Sequence, residues 1–256
     1  MDIFTVSIQK GGTGKTTTAA ILAQAAVYTG RRVLAIDLDP QGNLSQALAT
    51  RAGNAVANSY NLITGAQPAE KTIVKSGEGY DPAAGQGMDV IPASWNLSTL
   101  TSGTGSARRL QKALEPVKNN YDVIFIDTPA TGELQYNALQ AATGLIIPLQ
   151  ADSYNIQSLY QITDVANQFK KSNPALSITG VLMTRYDGRT RHARQIKEAI
   201  QEQAAAMGLP YLGEIRQAIA VQEAATFMQS LYEYDPKTTA AEDYLKLLET
   251  ITKQEG

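Results

Sequence analysis

The sequence predicts an α/β fold, a mostly parallel, twisted sheet of about seven or eight strands with helices on both faces. Three observations lead there. Short apolar, strand-like runs alternate with longer helical patterns along the 256 residues. Several of those runs are apolar at successive positions, as happens when both faces of a sheet are covered. The first run passes through a glycine-rich loop straight into a helix-like run, Ala19-Ala20-Ile21-Leu22-Ala23, which is the layout of a phosphate-binding loop.

Taken in order, strands are expected over residues 3–8, 32–37, 88–91, 121–127, 144–149, 178–184 and 211–215. Helices are expected over 15–28, 105–118, 155–171, 189–207, 221–228 and 237–253. Residues 76–87 (SGEGYDPAAGQG) are rich in Gly, Ala and Pro and read as a loop. No internal repeat or composition break divides the chain, so residues 1–256 are expected to form one domain with a single large core.

Composition narrows the function classes. With 22 Lys+Arg against 24 Asp+Glu the net charge is −2, so any nucleic-acid surface has to be a local patch. There is no cysteine, which excludes disulfides, thiolate zinc and iron–sulfur clusters and fits a reducing compartment. The first strand starts at Ile3, leaving no room for a secretory signal. The longest apolar runs, such as 144–149, are too short to cross a bilayer. A cytoplasmic, soluble protein is expected.

The chemistry concentrates in Lys10-Gly11-Gly12-Thr13-Gly14-Lys15-Thr16-Thr17. Glycines let the backbone approach an anion so that N–H groups point at phosphate oxygens. Lys15 adds a positive charge near the terminal phosphates, and the Thr16 hydroxyl is placed to bind Mg²⁺. The common loop pattern, G-x-x-x-x-G-K-[ST], would need glycine where this chain has Gln9, and Lys10 supplies a second lysine. One lysine suffices for the phosphates of its own subunit. Lys10 is therefore read as acting in trans, on the nucleotide of a partner subunit, as an arginine finger does.

Two acidic segments end strands, where ligands bind in open parallel sheets. Asp37-Leu38-Asp39-Pro40-Gln41-Gly42 ends the second strand, and Asp127-Thr128-Pro129 follows the apolar run 121–126. Asp127 is expected to hold the magnesium through a bound water. Asp39 is placed to orient or deprotonate an attacking water, and Asp37 to support the metal shell. The bland alternative for each is a cap on the next helix.

These segments resemble the ParA/Soj group of ATPases, within the deviant Walker-A class of P-loop NTPases that includes MinD. The family's K-G-G-x-G-K-T-T-T-A is Lys10 to Ala19 here, and its D-x-D-P-Q-G-N is Asp37 to Asn43. Its D-x-P-P corresponds to Asp127 to Ala130, with Ala130 in place of the second proline. Pro148 to Asp152, Thr184 to Thr190 and Tyr234 to Lys237 resemble further family segments. The resemblance implies an ATP- and Mg²⁺-dependent ATPase, a homodimer with ATP sandwiched between subunits, and non-specific DNA binding by the ATP dimer. It also implies a ParB-like or other cargo-adaptor partner that stimulates hydrolysis, and association with the nucleoid when ATP is bound. Asp39 to Asn43 and Asp127 to Gly132 are the expected switch segments. Arg185 and the segment Ile215, Arg216 and Gln217 are expected against the nucleotide, although Arg216 stands at a family proline and Gln217 and Ala220 at family arginines.

The candidate DNA surface is the helix near residue 190. At about 100° per residue, Arg191, Arg194 and Lys197 share one flank, and Ala193, Ile196 and Ile200 the opposite one. Arg189 and Arg216 complete the expected DNA set, and His192 reads as a surface residue. Two alternatives were weighed. A membrane-surface protein of MinD type needs a basic amphipathic end, whereas Tyr244, Leu248 and Ile251 form a core-packing stripe among mixed charges. A metabolic ligase or reductase could share the scaffold, the reductase being opposed by the lack of cysteine.

Overall fold

The computed structural model describes residues 1–48, 57–81, 86–100, 107–151 and 155–253. Eight strands form one sheet: β1 (Asp2–Val6), β2 (Val33–Asp37), β3 (Val74–Asp81), β4 (Gln86–Ile91), β5 (Val123–Asp127), β6 (Gly144–Leu149), β7 (Ser177–Tyr186) and β8 (Tyr211–Arg216). Their order is β3-β4-β2-β5-β1-β6-β7-β8, and every neighbouring pair is parallel except β3 with β4. The register sets Val6 and Asp37 both opposite Asp127, so the carboxyl ends of β1, β2 and β5 meet at the middle of the sheet.

The helices are α1 (Lys15–Tyr28), α2 (Asn43–Ala47), α3 (Ser59–Thr64), α4 (Ala69–Thr72), α5 (Arg109–Leu114), α6 (Glu133–Ala141), α7 (Asn155–Lys170), α8 (Arg191–Ala206), α9 (Ile219–Thr226), α10 (Leu231–Tyr234) and α11 (Thr239–Thr252). Side chains alternate across a strand, so each central strand feeds two cores. In β5, Ile124 and Ile126 join Leu110, Leu134, Leu159 and Ile200 from α5, α6, α7 and α8. Val123 and Phe125 join the alanines of α1 and Leu247, Leu248 and Ile251 of α11 on the other face. Burial on both faces is why these strands read as unbroken apolar runs.

Several boundaries differ from the expected ones for local reasons. The segment expected to be a loop, 76–87, contains most of β3 and the start of β4. β3 is an antiparallel edge strand, with Val74 opposite Val90 and Ser76 opposite Met88. Pairing with β4, not its own composition, makes it a strand. α8 starts at Arg191, two residues late, because Thr190 caps it by accepting a hydrogen bond from the Ala193 N–H. Thr238 delays α11 in the same way through Ala241. The helix expected over 105–118 is the shorter α5, stopped before Pro116 and followed by a 3₁₀ turn at Lys118–Asn120. Its expected first residue, Gly105, lies outside the described residues, as does Asp152. α2, α3, α4, α6 and α10 add to the helices expected.

Candidate functional site

β1 delivers the chain to the glycine loop, and the loop delivers it to α1. Gly12 (φ 75°) and Gly14 (φ 88°) lie in the left-handed region, which a residue with a Cβ enters only at a cost. Gly14 caps α1 without a side chain, and the first turn of α1 holds no acidic residue. The first-turn N–H groups are thus left to an outside acceptor, at the positive end of the helix dipole.

Lys15 is buried, and its Nζ donates to the Lys10 carbonyl at 2.8 Å. Burial lowers its ammonium below the ordinary lysine range, while the Asp127 and Asp39 carboxylates pull it back up. The Thr16 hydroxyl donates to Asp127 Oδ2 at 2.7 Å. Asp127 is fully buried, and its Oδ1 has no hydrogen-bond partner. Desolvation, helped by the charge of Asp37, pushes its carboxyl up to about 8. A buried, orphaned carboxylate oxygen costs the fold free energy.

Asp37 is equally buried but differently engaged. Its Oδ1 accepts from the Asp39 N–H at 3.0 Å, and its Oδ2 accepts from the Ser45 N–H at 2.8 Å and hydroxyl at 2.7 Å. Burial outweighs these bonds and lifts it to about 6. Ser45 Oγ in turn accepts from the Ala93 N–H at 2.9 Å. Asp37 and Ser45 therefore tie the end of β2, the first turn of α2 and the segment after β4 together. Asp39 rides on that turn, half-buried, with Oδ1 accepting from the Gln41 N–H at 3.0 Å.

A second buried network joins the stem of the glycine loop to the segment after Asp127. Gln135 Nε2 donates to Ser7 Oγ at 2.8 Å and to the Ala130 carbonyl at 3.2 Å, and the Thr128 hydroxyl reaches Ser7 Oγ at 3.1 Å. Ser45 and Gln135 had no role in the sequence reading. Neither belongs to a chemical motif, and only the fold makes them neighbours of the site.

The oxygen donors suit magnesium. The Thr16 hydroxyl and the Asp127 carboxylate are hard ligands, and Asp127 Oδ1 has capacity to spare. Among the described residues no group of three His, Cys, Asp or Glu side chains could cage a metal. That fits an ion held by one or two protein oxygens, waters and phosphates.

The sequence-predicted residues fall into two groups. Lys10 through Thr17, Asp37, Asp39 and Asp127 converge at the carboxyl ends of β1, β2 and β5. The others lie toward the β7–β8 edge. Arg185 is exposed with φ 52° at the end of β7, and the Gln217 N–H donates to the adjoining Tyr186 carbonyl at 3.0 Å. Ile215 is buried, and Arg216 grips Asp243 of α11 through Nη2 at 2.8 Å and Nε at 2.9 Å. Of the basic set, Arg189 pairs with Asp187 at 2.7 Å, Lys197 with Glu214 at 2.5 Å, and Arg194 donates to the Gly188 carbonyl at 2.6 Å. Arg191 and His192 are exposed. A cavity of about 340 Å³ runs beside α1 between α2 and α9, lined by Thr16, Thr17, Asn43, Val221 and Ala225 among others. None of its lining residues is charged.

A family model described as an AAA domain matches residues 1–178. The chromosome partitioning protein ParA of Myxococcus xanthus is 31% identical over 99% of this chain and 88% of its own length. The sporulation initiation inhibitor protein Soj of Bacillus subtilis is 33% identical over 97% of each chain. This chain belongs to the ParA/Soj family of P-loop ATPases. The fold agrees. Cobyrinic acid a,c-diamide synthase from Mycobacterium smegmatis, solved with bound ADP and magnesium, superposes with a TM-score of 0.79. It is 28% identical, covering 97% of this chain and 93% of that one. Among the described residues of this ParA/Soj family member, no helix is long and apolar enough to cross a membrane.

Proposed function

We propose that this chain is an ATP-driven dimerising switch. It binds ATP with Mg²⁺ and closes as a two-fold dimer with ATP between the subunits. The ATP dimer binds DNA without sequence preference, in the cytoplasm and on the nucleoid. A ParB-like or other cargo-adaptor protein stimulates hydrolysis, which releases the dimer and moves plasmid, chromosomal or other cargo. The observation that carries the reading is the junction of Lys15, Thr16 and the orphaned Asp127 oxygen beneath an uncapped helix start.

In this reading Lys15 leaves the Lys10 carbonyl for the terminal phosphates, and the N–H groups of Gly11 to Thr17 surround the phosphate oxygens. Thr16, and Asp127 through a water, would hold the magnesium, which when bound would neutralise phosphate charge. Asp39 orients the attacking water and takes its proton. Asp37 acts through the turn it anchors, since both of its oxygens are spent on Asp39 and Ser45. Lys10 of each copy completes the other copy's phosphate site. Loss of the terminal phosphate removes the ligand that favours closure. Arg185, Ile215, Arg216 and Gln217 are placed nearest the base. DNA phosphates are met chiefly by Arg191 and Arg194, with Arg189, Lys197 and Arg216 contributing less because each already has a carboxylate partner.

The test is binding of unrelated DNA duplexes with a non-hydrolysable ATP analogue, ADP or no nucleotide, across a salt series. Binding is expected with the analogue alone and should weaken steeply with salt. Lys10→Ala should reduce analogue-induced dimers while keeping ADP affinity. Binding indifferent to nucleotide, or confined to one DNA sequence, would remove the DNA arm of the proposal. The likeness to a synthase favours one other reading, a ligase whose ATP turnover depends on a small substrate. Turnover that responds to DNA and a partner protein decides against it. A membrane-surface role is disfavoured because α11 buries Tyr244, Leu248 and Ile251 in the core.

A further inference from the structure

Two side chains from the far half of the sheet reach the glycine loop from outside. Thr184 lies near the end of β7, almost fully buried. Its hydroxyl donates to the Thr13 carbonyl at 2.8 Å and, in a shared three-centre bond, to the Leu149 carbonyl at 3.2 Å. Gln150, just past β6, donates through Nε2 to the Gly12 carbonyl. The contact is close: a Cβ added at Gly14 would lie 3.4 Å from Thr184 Oγ1. Within the loop the Lys15 side chain holds the Lys10 carbonyl, while the Thr13 hydroxyl is buried without a hydrogen-bond partner.

In a trans peptide the C=O of one residue and the N–H of the next point in opposite directions. Capture of the Gly12 carbonyl by Gln150 turns the Thr13 N–H the other way. Capture of the Thr13 carbonyl by Thr184 does the same for the Gly14 N–H. Without these donors, either peptide plane could flip and aim a carbonyl dipole at the phosphates, replacing attraction with repulsion. Glycine at 14 makes a flip of the second plane inexpensive, because positive and negative φ are both open to it; in the first plane glycine at 12 frees only its own ψ.

We propose that Thr184 and Gln150 are positioning residues. They hold two consecutive peptide planes of the glycine loop in the anion-binding orientation, and so make nucleotide affinity depend on the β6–β7 end of the sheet. The inference rests on the nucleotide-binding reading above and adds residues outside the loop to it.

The test compares wild type with Thr184→Val, Thr184→Ser and Gln150→Met, titrating each with Mg-ADP and melting each with and without it. Valine keeps the shape of threonine and removes the donor. Thr184→Val is expected to lose about tenfold in ADP affinity, with KM for ATP raised in step and kcat at saturation little changed. Thr184→Ser keeps the hydroxyl and should stay within about twofold of wild type. Gln150→Met, at a half-buried site, should weaken ADP in the same direction by a smaller factor. If Thr184→Val proves unstable, the serine and methionine variants decide the matter. The proposal is overturned if Thr184→Val binds ADP like wild type, if serine is as weak as valine, or if Gln150→Met leaves affinity unchanged. Wild type failing to bind ADP would instead sink the nucleotide reading, and this inference with it.

Discussion

The middle of the sheet and its β8 edge both carry charged residues, in opposite states. At the ends of β1, β2 and β5 Asp37, Asp127 and Lys15 are buried, and Asp127 is short of a partner. Asp127 is fully buried with one oxygen unpaired, Asp37 is buried beside it, and Lys15 donates to a backbone carbonyl. At the edge the charges are half-buried or exposed, and matched. Arg216 holds Asp243, Lys197 holds Glu214 and Arg189 holds Asp187. Burying charge without full compensation is expensive, and folds that do it have usually set the groups aside for a ligand. Exposed pairs are cheap to form and contribute little. The contrast separates a site awaiting a charged ligand from a surface whose charges already answer one another, and mutations in the two regions should differ accordingly.

The sharpest break comes at Lys15. Lys15→Ala removes the one lysine that is buried among the described residues, at the start of α1. Mg-ATP affinity should fall by about 100-fold or more, the scale of a lost charge-assisted bond to phosphate in a desolvated place. The ligand-free protein should melt within a few degrees of wild type, because the ammonium is desolvated there and gains only one carbonyl. Equilibrium titration with a fluorescent ATP analogue reads the first quantity and calorimetry the second. Undiminished affinity would mean that the phosphates are held elsewhere.

Asp127 gives an effect with a definite pH sign. Its folded pKa is raised from 3.8 to about 8, so between those values the folded chain binds more protons than the unfolded one. Stability from this group is complete at the acid end and is lost as pH rises through the window; Asp37, raised to about 6, acts in the same sense over a narrower range. Asp127→Asn removes the titration. Relative to wild type, the ligand-free variant should gain on the order of 5 kcal/mol at pH 8 and nothing near pH 4. Urea melts of both proteins at the two pH values measure the difference. Mg-nucleotide binding shows the opposite trend, tightening with pH in wild type because the carboxylate must be ionised, and flattening in the variant. A variant that is less stable than wild type at pH 8 would contradict the buried-acid account.

The same contrast explains what was legible from sequence. The central strands and the glycine loop declare themselves, because burial on both faces forces apolar runs and left-handed backbone favours glycine at 12 and 14. The first antiparallel edge strand, β3, is invisible because a Gly- and Ser-bearing segment becomes a strand only when β4 is beside it. Helix α6 was missed for a different reason. It buries Gln135, Asn137 and Gln140 alongside Leu134 and Leu139, so its inward face is half polar and no apolar period stands out. Those amides are structural: Asn137 accepts from the Leu110 N–H and Gln140 donates to the Ser172 carbonyl. Short α3 did carry a readable signal, the reciprocal cap between Asn58 and Asn61, which pattern alone did not weigh. In the site, Lys15, Thr16 and Asp127 were found as a set, whereas the partners of Asp37 could not be, since Ser45 and Ala93 meet it only through the fold.

The smallest expected effect tests the edge. The family resemblance makes Arg216 a candidate for both base and DNA contact, yet its guanidinium is bidentate to Asp243 and its own N–H donates to the same carboxylate at 2.8 Å. Freed from Asp243 it would have to leave two good acceptors for a phosphate, so little is gained by the exchange. Arg216→Ala should therefore lower stability by about 0.5–1 kcal/mol and change DNA affinity by less than about threefold. Arg191 is exposed at the first position of α8, three residues before Arg194 on the same helix flank. Arg191→Ala should weaken DNA binding more than Arg216→Ala does, evenly across sequences, and reduce the salt slope by about one. Measuring both variants over one salt series sets a matched cation against an exposed one. If Arg216→Ala cost the more in DNA binding, pairing within the chain would be a poor guide to which charges on this surface do the work.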